Sequence, residues 1–321
     1  MSKRAIAAIN AFLVGVLAVL VATAALLWSG AARGLDDGGQ VPVLLYHPQT
    51  IGERCDADDT DVLAMQRDLQ LLHDMGFVPT PARHIVEWRM GLRAGNTLPA
   101  KPVVITTDDG HDRNYLRRVN PARDCAADLP SVREIAEEFD AHVTMFVIGS
   151  PVVRRLLGDG FYTDSWWLDA ERHPLLAIQN HTAGHEHQAI TRQVFDPAMG
   201  ASLPAAGHAD GDWTGQNNPL RWTNRTSATV AIARSGIYIW RNTGHFPDFL
   251  AHPFGVVSPY LLNIYLPSFP RQHEVSAAFC TEGRPEKFVS RTSPIFCLPR
   301  VTRGLSWFTA QEFVQLMGEA K

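Results

Sequence analysis

The sequence predicts an α/β fold in which a mainly parallel sheet curls into a barrel, preceded by an N-terminal transmembrane or signal helix. Three observations carry this. Short apolar runs suited to buried strands recur at residues 41–47 (VPVLLYH), 102–107 (PVVITT) and 142–148 (HVTMFVI). Segments with apolar residues at helical spacing separate them, and strand–helix–strand alternation of this length favours parallel pairing. Ahead of them all, residues 5–28 form an uncharged stretch interrupted only by Asn10 and Thr23.

That first stretch follows Lys3 and Arg4 and precedes Asp36 and Asp37. About 20 apolar residues suffice to cross a bilayer, and basic residues on the leading side favour an N-in, C-out orientation. An uncleaved anchor over residues 1–28 is the favoured reading. A cleaved signal peptide is the competing one, because small residues such as Ala22, Ala24, Ala31 and Ala32 offer a processing site. Either way the remainder of the chain is exported, to the periplasmic or extracytoplasmic side of an inner membrane. Residues 29–40 (SGAARGLDDGGQ) read as a flexible linker, and residues 41–321 as one domain with an insertion at about 188–250.

After the first strand, Val62, Met65, Leu69 and Leu72 mark an amphipathic helix over 62–75. The strand at 102–107 ends in Asp108-Asp109-Gly110. A helix is expected over 132–139, then the strand at 142–148, a helix over 169–176 and a strand over 177–180 leading to His181. Inside the insertion, 228–235 reads as a helix and 237–240 (IYIW) as a strand.

Composition narrows the function classes. The chain has 321 residues, 45% hydrophobic and 19% charged, with a formal net charge of −4 and scattered basic residues. That leaves no electrostatic footprint for nucleic acid, and the pattern carries no signal of an oligomeric state. Four cysteines suit an exported protein: Cys55, Cys125, Cys280 and Cys297. The short segment between Cys280 and Cys297 can fold back as a hairpin and pair them, and Cys55 with Cys125 then follows by elimination. Free buried thiols are the alternative. No C-x-x-C pattern points to a thiolate metal site.

Two segments carry chemistry. In Thr106-Thr107-Asp108-Asp109-Gly110, two adjacent carboxylates repel unless a cation or separate partners divide their roles. In His181-Thr182-Ala183-Gly184-His185, two imidazoles four positions apart meet either on a helical turn or in a loop. Two histidines and one carboxylate match a catalytic zinc site with an open position, and the same set can hold non-haem iron. Thr182 stands where a zincin would place its glutamate base, so a hydrolytic base must come from elsewhere. One of the paired aspartates fills that vacancy. Alone, an Asp-Asp-Gly at a strand end is ordinarily a turn, and one histidine pair among 13 histidines is weak evidence; their conjunction is not.

In order, VPVLLYH, TTDDG, VTMFV, NHTAGH and HPFG resemble the motifs of the polysaccharide deacetylase family, carbohydrate esterase family four. The resemblance spans most of the chain after the linker. It implies a distorted, incomplete (β/α) barrel with its site at the C-terminal strand ends, a divalent metal, Zn2+ foremost, and an N-acetylated polysaccharide as substrate. Position by position, it implies Asp108 as general base and Asp109, His181 and His185 as metal ligands. The backbone N–H of Phe254 would stabilise the oxyanion, with Pro253 shaping that turn at the substrate. Tyr46 and His47 would support the wall of the site.

The departures are specific. Thr107 replaces a phenylalanine, and Ala251 stands where many members carry an arginine that orients the base. No histidine follows His273, so the customary general acid is absent. Leu298-Pro299-Arg300 resembles an ending seen in some members, and Arg300 is the candidate to orient Asp108 or bind substrate. Asp108 itself is the leading candidate to return the proton, with His187, His111 and His252 as further candidates. Trp166 and Trp167 are candidates to stack on a sugar, as are Trp213 and Trp222, with ordinary core and loop packing as the competing reading.

The expected activity is removal of N-acetyl groups from GlcNAc- or MurNAc-type units of an envelope polysaccharide. Competing readings are a catalytically impaired glycan-binding protein, an O-acetyl esterase or other C–N hydrolase, and more remotely an iron oxygenase.

Overall fold

The computed structural model describes residues 34–35, 38–117, 129–157, 160–185, 193–204, 224–255, 257–281 and 286–320. The expected span at 1–28, most of the linker and Cys125 lie outside them. Among the described residues, no helix is long and apolar enough to cross a membrane.

Ten strands are described: β1 (Val43–Tyr46), β2 (Val78–Pro79), β3 (Pro102–Thr107), β4 (Val143–Val147), β5 (Leu176–Asn180), β6 (Gln193–Asp196), β7 (Ala201–Pro204), β8 (Phe249–Ala251), β9 (Ala277–Phe279) and β10 (Val301–Thr302). Eight form one sheet in the order β10-β1-β3-β4-β5-β8-β9, with β2 beside β3, and every pairing is parallel. Leu298 bridges to Phe279 on β9, and three residues later Val301 pairs with Leu44 on β1. The segment 298–302 thereby draws the two sheet edges together. This is the distorted, incomplete (β/α) barrel, and its strands read as continuous apolar runs because both faces are covered.

Helices flank the sheet. The helix Asp61–Asp74 buries Val62, Met65, Leu69 and Leu72 at the expected spacing. The helix Val132–Phe139 starts where Ser131 and Glu134 form a reciprocal capping box. The helix expected at 169–176 instead spans Trp167–Arg172, and Leu176 already belongs to β5. Pro174 disfavours helical backbone at His173, whose φ of −77° and ψ of 131° are extended.

The strand expected at 237–240 is a helix, Ser235–Thr243. Its β-branched and aromatic run favours a strand locally, but Ser235, Ile239 and Thr243 are buried at a spacing of four, one face of a helix. It continues from Arg225–Ala228 through a π-helical stretch at Thr229–Arg234. There the carbonyls of Ala231 and Ile232 accept the N–H of Ala183 (2.8 Å) and the side-chain amide of Asn180 (2.9 Å). Part of the insertion thus buttresses the loop that carries the two histidines, and β6 and β7 form a separate antiparallel pair.

Candidate active site

The chemistry collects at the C-terminal ends of the strands. Asp108 and Asp109 follow β3, His181 and His185 follow β5, His47 and Gln49 follow β1, and Pro253 and Phe254 follow β8. The histidine segment is a loop, not a helical turn. Its backbone is fixed by His181 N–H to Val147 O (2.9 Å), Gly149 N–H to Thr182 O (2.8 Å) and Thr182 N–H to the Asn180 side chain (2.9 Å). Among the described residues, seven non-glycine residues have positive φ, and Asp109 (72°), Thr182 (64°), His185 (48°) and Phe254 (56°) are four of them. Such backbone persists where surrounding structure over-determines it, and it concentrates at functional sites.

Asp109, His181 and His185 converge. The Asp109 Oδ1 lies 3.3 Å from His181 Nε2 and 3.1 Å from His185 Nε2. A tetrahedral zinc held by nitrogen and oxygen at about 2.0–2.1 Å spaces its ligand atoms roughly 3.4 Å apart. Asp109 Oδ1 is buried and accepts no directed hydrogen bond among the described residues. His181 directs Nδ1 at the Ala251 carbonyl (3.0 Å), the outer contact that turns the Nε2 lone pair inward. Lone pairs aimed at one another in a buried site fit a cation between them. These three residues are the one group among the described residues whose ligand atoms all lie within 4.8 Å of one another.

Asp108 occupies a different environment. Arg300 grips it through two bonds, Nη1 to Oδ1 and Nη2 to Oδ2, both 2.7 Å. Arg300 is 1% exposed and Asp108 3%, so solvent screens the pair little. Burial pushes the Asp108 carboxyl up, but the Arg300 guanidinium and the His181 imidazole outweigh it and hold the pKa below the usual range. Asp109 is likewise pushed up by burial and pulled well below that range, chiefly by His185 and His181. Burial disfavours a charged His181, yet Asp108 and Asp109 together raise it. The neighbouring carboxylates are thus separated into one paired with arginine and one facing two imidazoles.

Phe254 closes the rim. Its ring lies 4.7 Å from that of His185, and its carbonyl accepts the Thr281 hydroxyl at 3.2 Å. Pro253 is buried at the start of this turn. Tyr46 is buried between the sheet and the helix Asp61–Asp74, donating to Asp68 (3.1 Å) and stacking edge-on against Trp307.

The expectation that Trp166 and Trp167 stack on a sugar does not hold. They are 1% and 0% exposed. Trp166 donates to Asp112 (3.0 Å), tying its loop to the residues after β3, and Trp167 packs beneath Arg154. Trp213, Trp222 and His187 lie outside the described residues. Two further histidines weighed for the acid are engaged in structural contacts. His252 is buried with Nε2 3.1 Å from Phe296 O. His111 accepts the Arg113 N–H through Nδ1 (3.0 Å).

Two residues at the site carried no expected role in the chemistry. Gln49 donates through Nε2 to Asp109 Oδ2. The charge of His47 lowers the pKa of both Asp108 and Asp109. His47 ends the VPVLLYH run and Gln49 lies two residues beyond it, and their place at the end of a strand was the signal available.

The fold and the site define a class: an incomplete parallel barrel with a two-histidine, one-aspartate centre beside an arginine-paired aspartate. Solved structures that share the fold include proteins described as deacetylases. The chain is similar to IcaB from Ammonifex degensii, at 18% identity and a TM-score of 0.59, over 88% of this chain and 97% of that one. It is similar to the Streptococcus pyogenes deacetylase PplD, solved in complex with acetate, at 17% identity and a TM-score of 0.55, over 87% and 99%. A de-N-acetylase from Aggregatibacter actinomycetemcomitans matches at 18% identity and a TM-score of 0.53, over 85% and 99%. No family model matches the sequence, and no curated protein does.

Proposed function

We propose that the protein is a metal-dependent hydrolase that removes N-acetyl groups from a polysaccharide of the cell envelope. The observation that carries this reading is the division of labour between Asp108 and Asp109. A base kept ionised by Arg300 stands next to a carboxylate that shares one focus with two imidazoles. The deacetylases of the same fold support the substrate class.

Asp109, His181 and His185 would hold the divalent ion, zinc by the donor set, which supplies Lewis acidity and an acidified water when bound. Asp108 takes the proton from the attacking water and then returns it to the departing amine. Arg300 keeps that carboxylate ionised and aimed. The Phe254 ring lies against that of His185, and the residue stands in a left-handed turn; there the N–H of Phe254 would meet the oxyanion of the acetamide. The proposal includes export of the chain, with residues 1–28 as its membrane anchor; the disulfide between Cys280 and Cys297 suits an oxidising compartment and supports the export alone.

The test is acetate release by the full chain from N-acetylglucosamine oligomers, beside O-acetylated and cyclic-amide substrates, with and without chelator. Chelator-sensitive release from the N-acetyl substrates alone is expected. Release from esters alone, or none with zinc bound, would overturn the assignment.

A further inference from the structure

We propose that Gln49 is a positioning residue of the metal site, holding Asp109 by the oxygen turned away from the imidazoles. The proposal rests on the metal-dependent reading above and assigns this chain a further residue for it.

Gln49 Nε2 donates to Asp109 Oδ2, while Oδ1 of the same carboxylate faces His181 Nε2 and His185 Nε2 at 3.3 and 3.1 Å. A carboxylate pinned at one oxygen has the direction of the other settled. The constraint matters because Asp109 sits in left-handed backbone, with φ of 72°, immediately before a glycine turn. Its side-chain direction therefore depends on contacts more than on a regular strand.

Gln49 is itself rigidly mounted. Thr50 N–H returns to His47 O at 2.8 Å, making residues 47–50 a tight turn with Pro48 at the position where its fixed φ is favoured. The carbonyl of Thr50 accepts the N–H of Asp61, so the turn is tied to the start of the helix Asp61–Asp74. The side chain bridges from the β1 turn to the β3 turn, joining two adjacent strands at the site.

The amide can face only one way. An ionised carboxylate accepts and never donates, so the group toward Asp109 is the NH2. That leaves Gln49 Oε1, a buried acceptor with no hydrogen-bond partner among the described residues. A buried carbonyl oxygen beside a metal ligand is placed to receive a donor that enters with solvent or substrate.

The experiment measures zinc affinity of the full chain by competition with a chromophoric chelator, for the wild type, Gln49→Met, Gln49→Asn and Asp109→Asn. Removal of an outer contact to a metal ligand costs roughly 10–100-fold in affinity. Both Gln49 variants should weaken zinc binding by that factor while the melting temperature of the metal-free protein stays at the wild-type value. Asp109→Asn should weaken it further. Wild-type affinity in Gln49→Met and Gln49→Asn would overturn the proposal, as would a loss that only tracks a lower metal-free melting temperature. Should one variant fail to fold, the other decides. Because no glycan enters the measurement, tight Asp109-dependent zinc binding without acetate release would overturn the deacetylase reading alone.

Discussion

Arg300 and Asp108 meet as a two-point pair, guanidinium edge to carboxylate edge, each contact 2.7 Å and both residues buried. Removing one partner of such a pair strands the other charge, at a cost of about 3–5 kcal/mol. Arg300→Met is therefore expected to lose stability on that scale in denaturant titrations. It should also move the acidic limb of the pH–rate profile upward, because burial then raises Asp108 against only the charges of His181 and His47. Arg300→Lys keeps the charge but loses the fork, and should fall between the two. An unshifted acidic limb in Arg300→Met would refute the role given to the pair.

Asp108→Asn tests the base itself. The substitution leaves Asp109, His181 and His185 in place, so zinc content should match the wild type. Acetate release should fall by about 10²–10⁴, the usual contribution of a positioned base. Retained turnover would show that the proton leaves by another route.

Metal removal should act on stability as well as rate. Zinc at 1,000 times its dissociation constant adds about 4 kcal/mol to a protein that binds it only when folded. Calorimetry of the stripped protein should show a melting temperature that rises on zinc addition, and Asp109→Asn should abolish the rise. A zinc response that survives Asp109→Asn would place the ion elsewhere.

Asp61 gives the fold a pH dependence of its own. Burial, opposed by the charge of His47, raises its pKa from 3.8 to about 6. The folded state then holds the proton more tightly than the unfolded state. The resulting stabilisation is complete below about pH 4 and is lost as pH rises through about 6, by at most about 3 kcal/mol. Asp61→Asn can still accept the His47 N–H that Asp61 accepts at 2.8 Å. It should flatten the stability curve between pH 4 and 6, and an unchanged slope in urea titrations would contradict this.

Much of the barrel was legible in the sequence because its strands are covered on both sides. β3 and β4 are short, mostly apolar runs buried along their whole length, and such runs mark buried strands. The candidate metal ligands were legible because Asp109 stands just past the end of β3 and His181 and His185, four positions apart, just past the end of β5. Three features were not. Residues 237–240 carry strand-forming side chains, and only packing over Ile239 and Thr243 makes them helical. Trp166 and Trp167 are as hydrophobic in a core as on a sugar platform, so composition could not separate the two. Gln49 meets Asp109 across 60 residues of sequence, a contact that exists only once β1 and β3 lie side by side.

The cystine Cys280–Cys297 closes a span of 17 residues that ends three positions before Arg300, and the Cys280 carbonyl accepts the Arg300 Nε–H at 3.3 Å. The arginine paired with Asp108 is thus moored to a sulfur cross-link, whereas the three candidate metal ligands follow β3 and β5, which carry no part of it. Loss of that one cross-link would loosen the frame that aims the guanidinium at Asp108 while leaving the backbone under Asp109, His181 and His185 untouched.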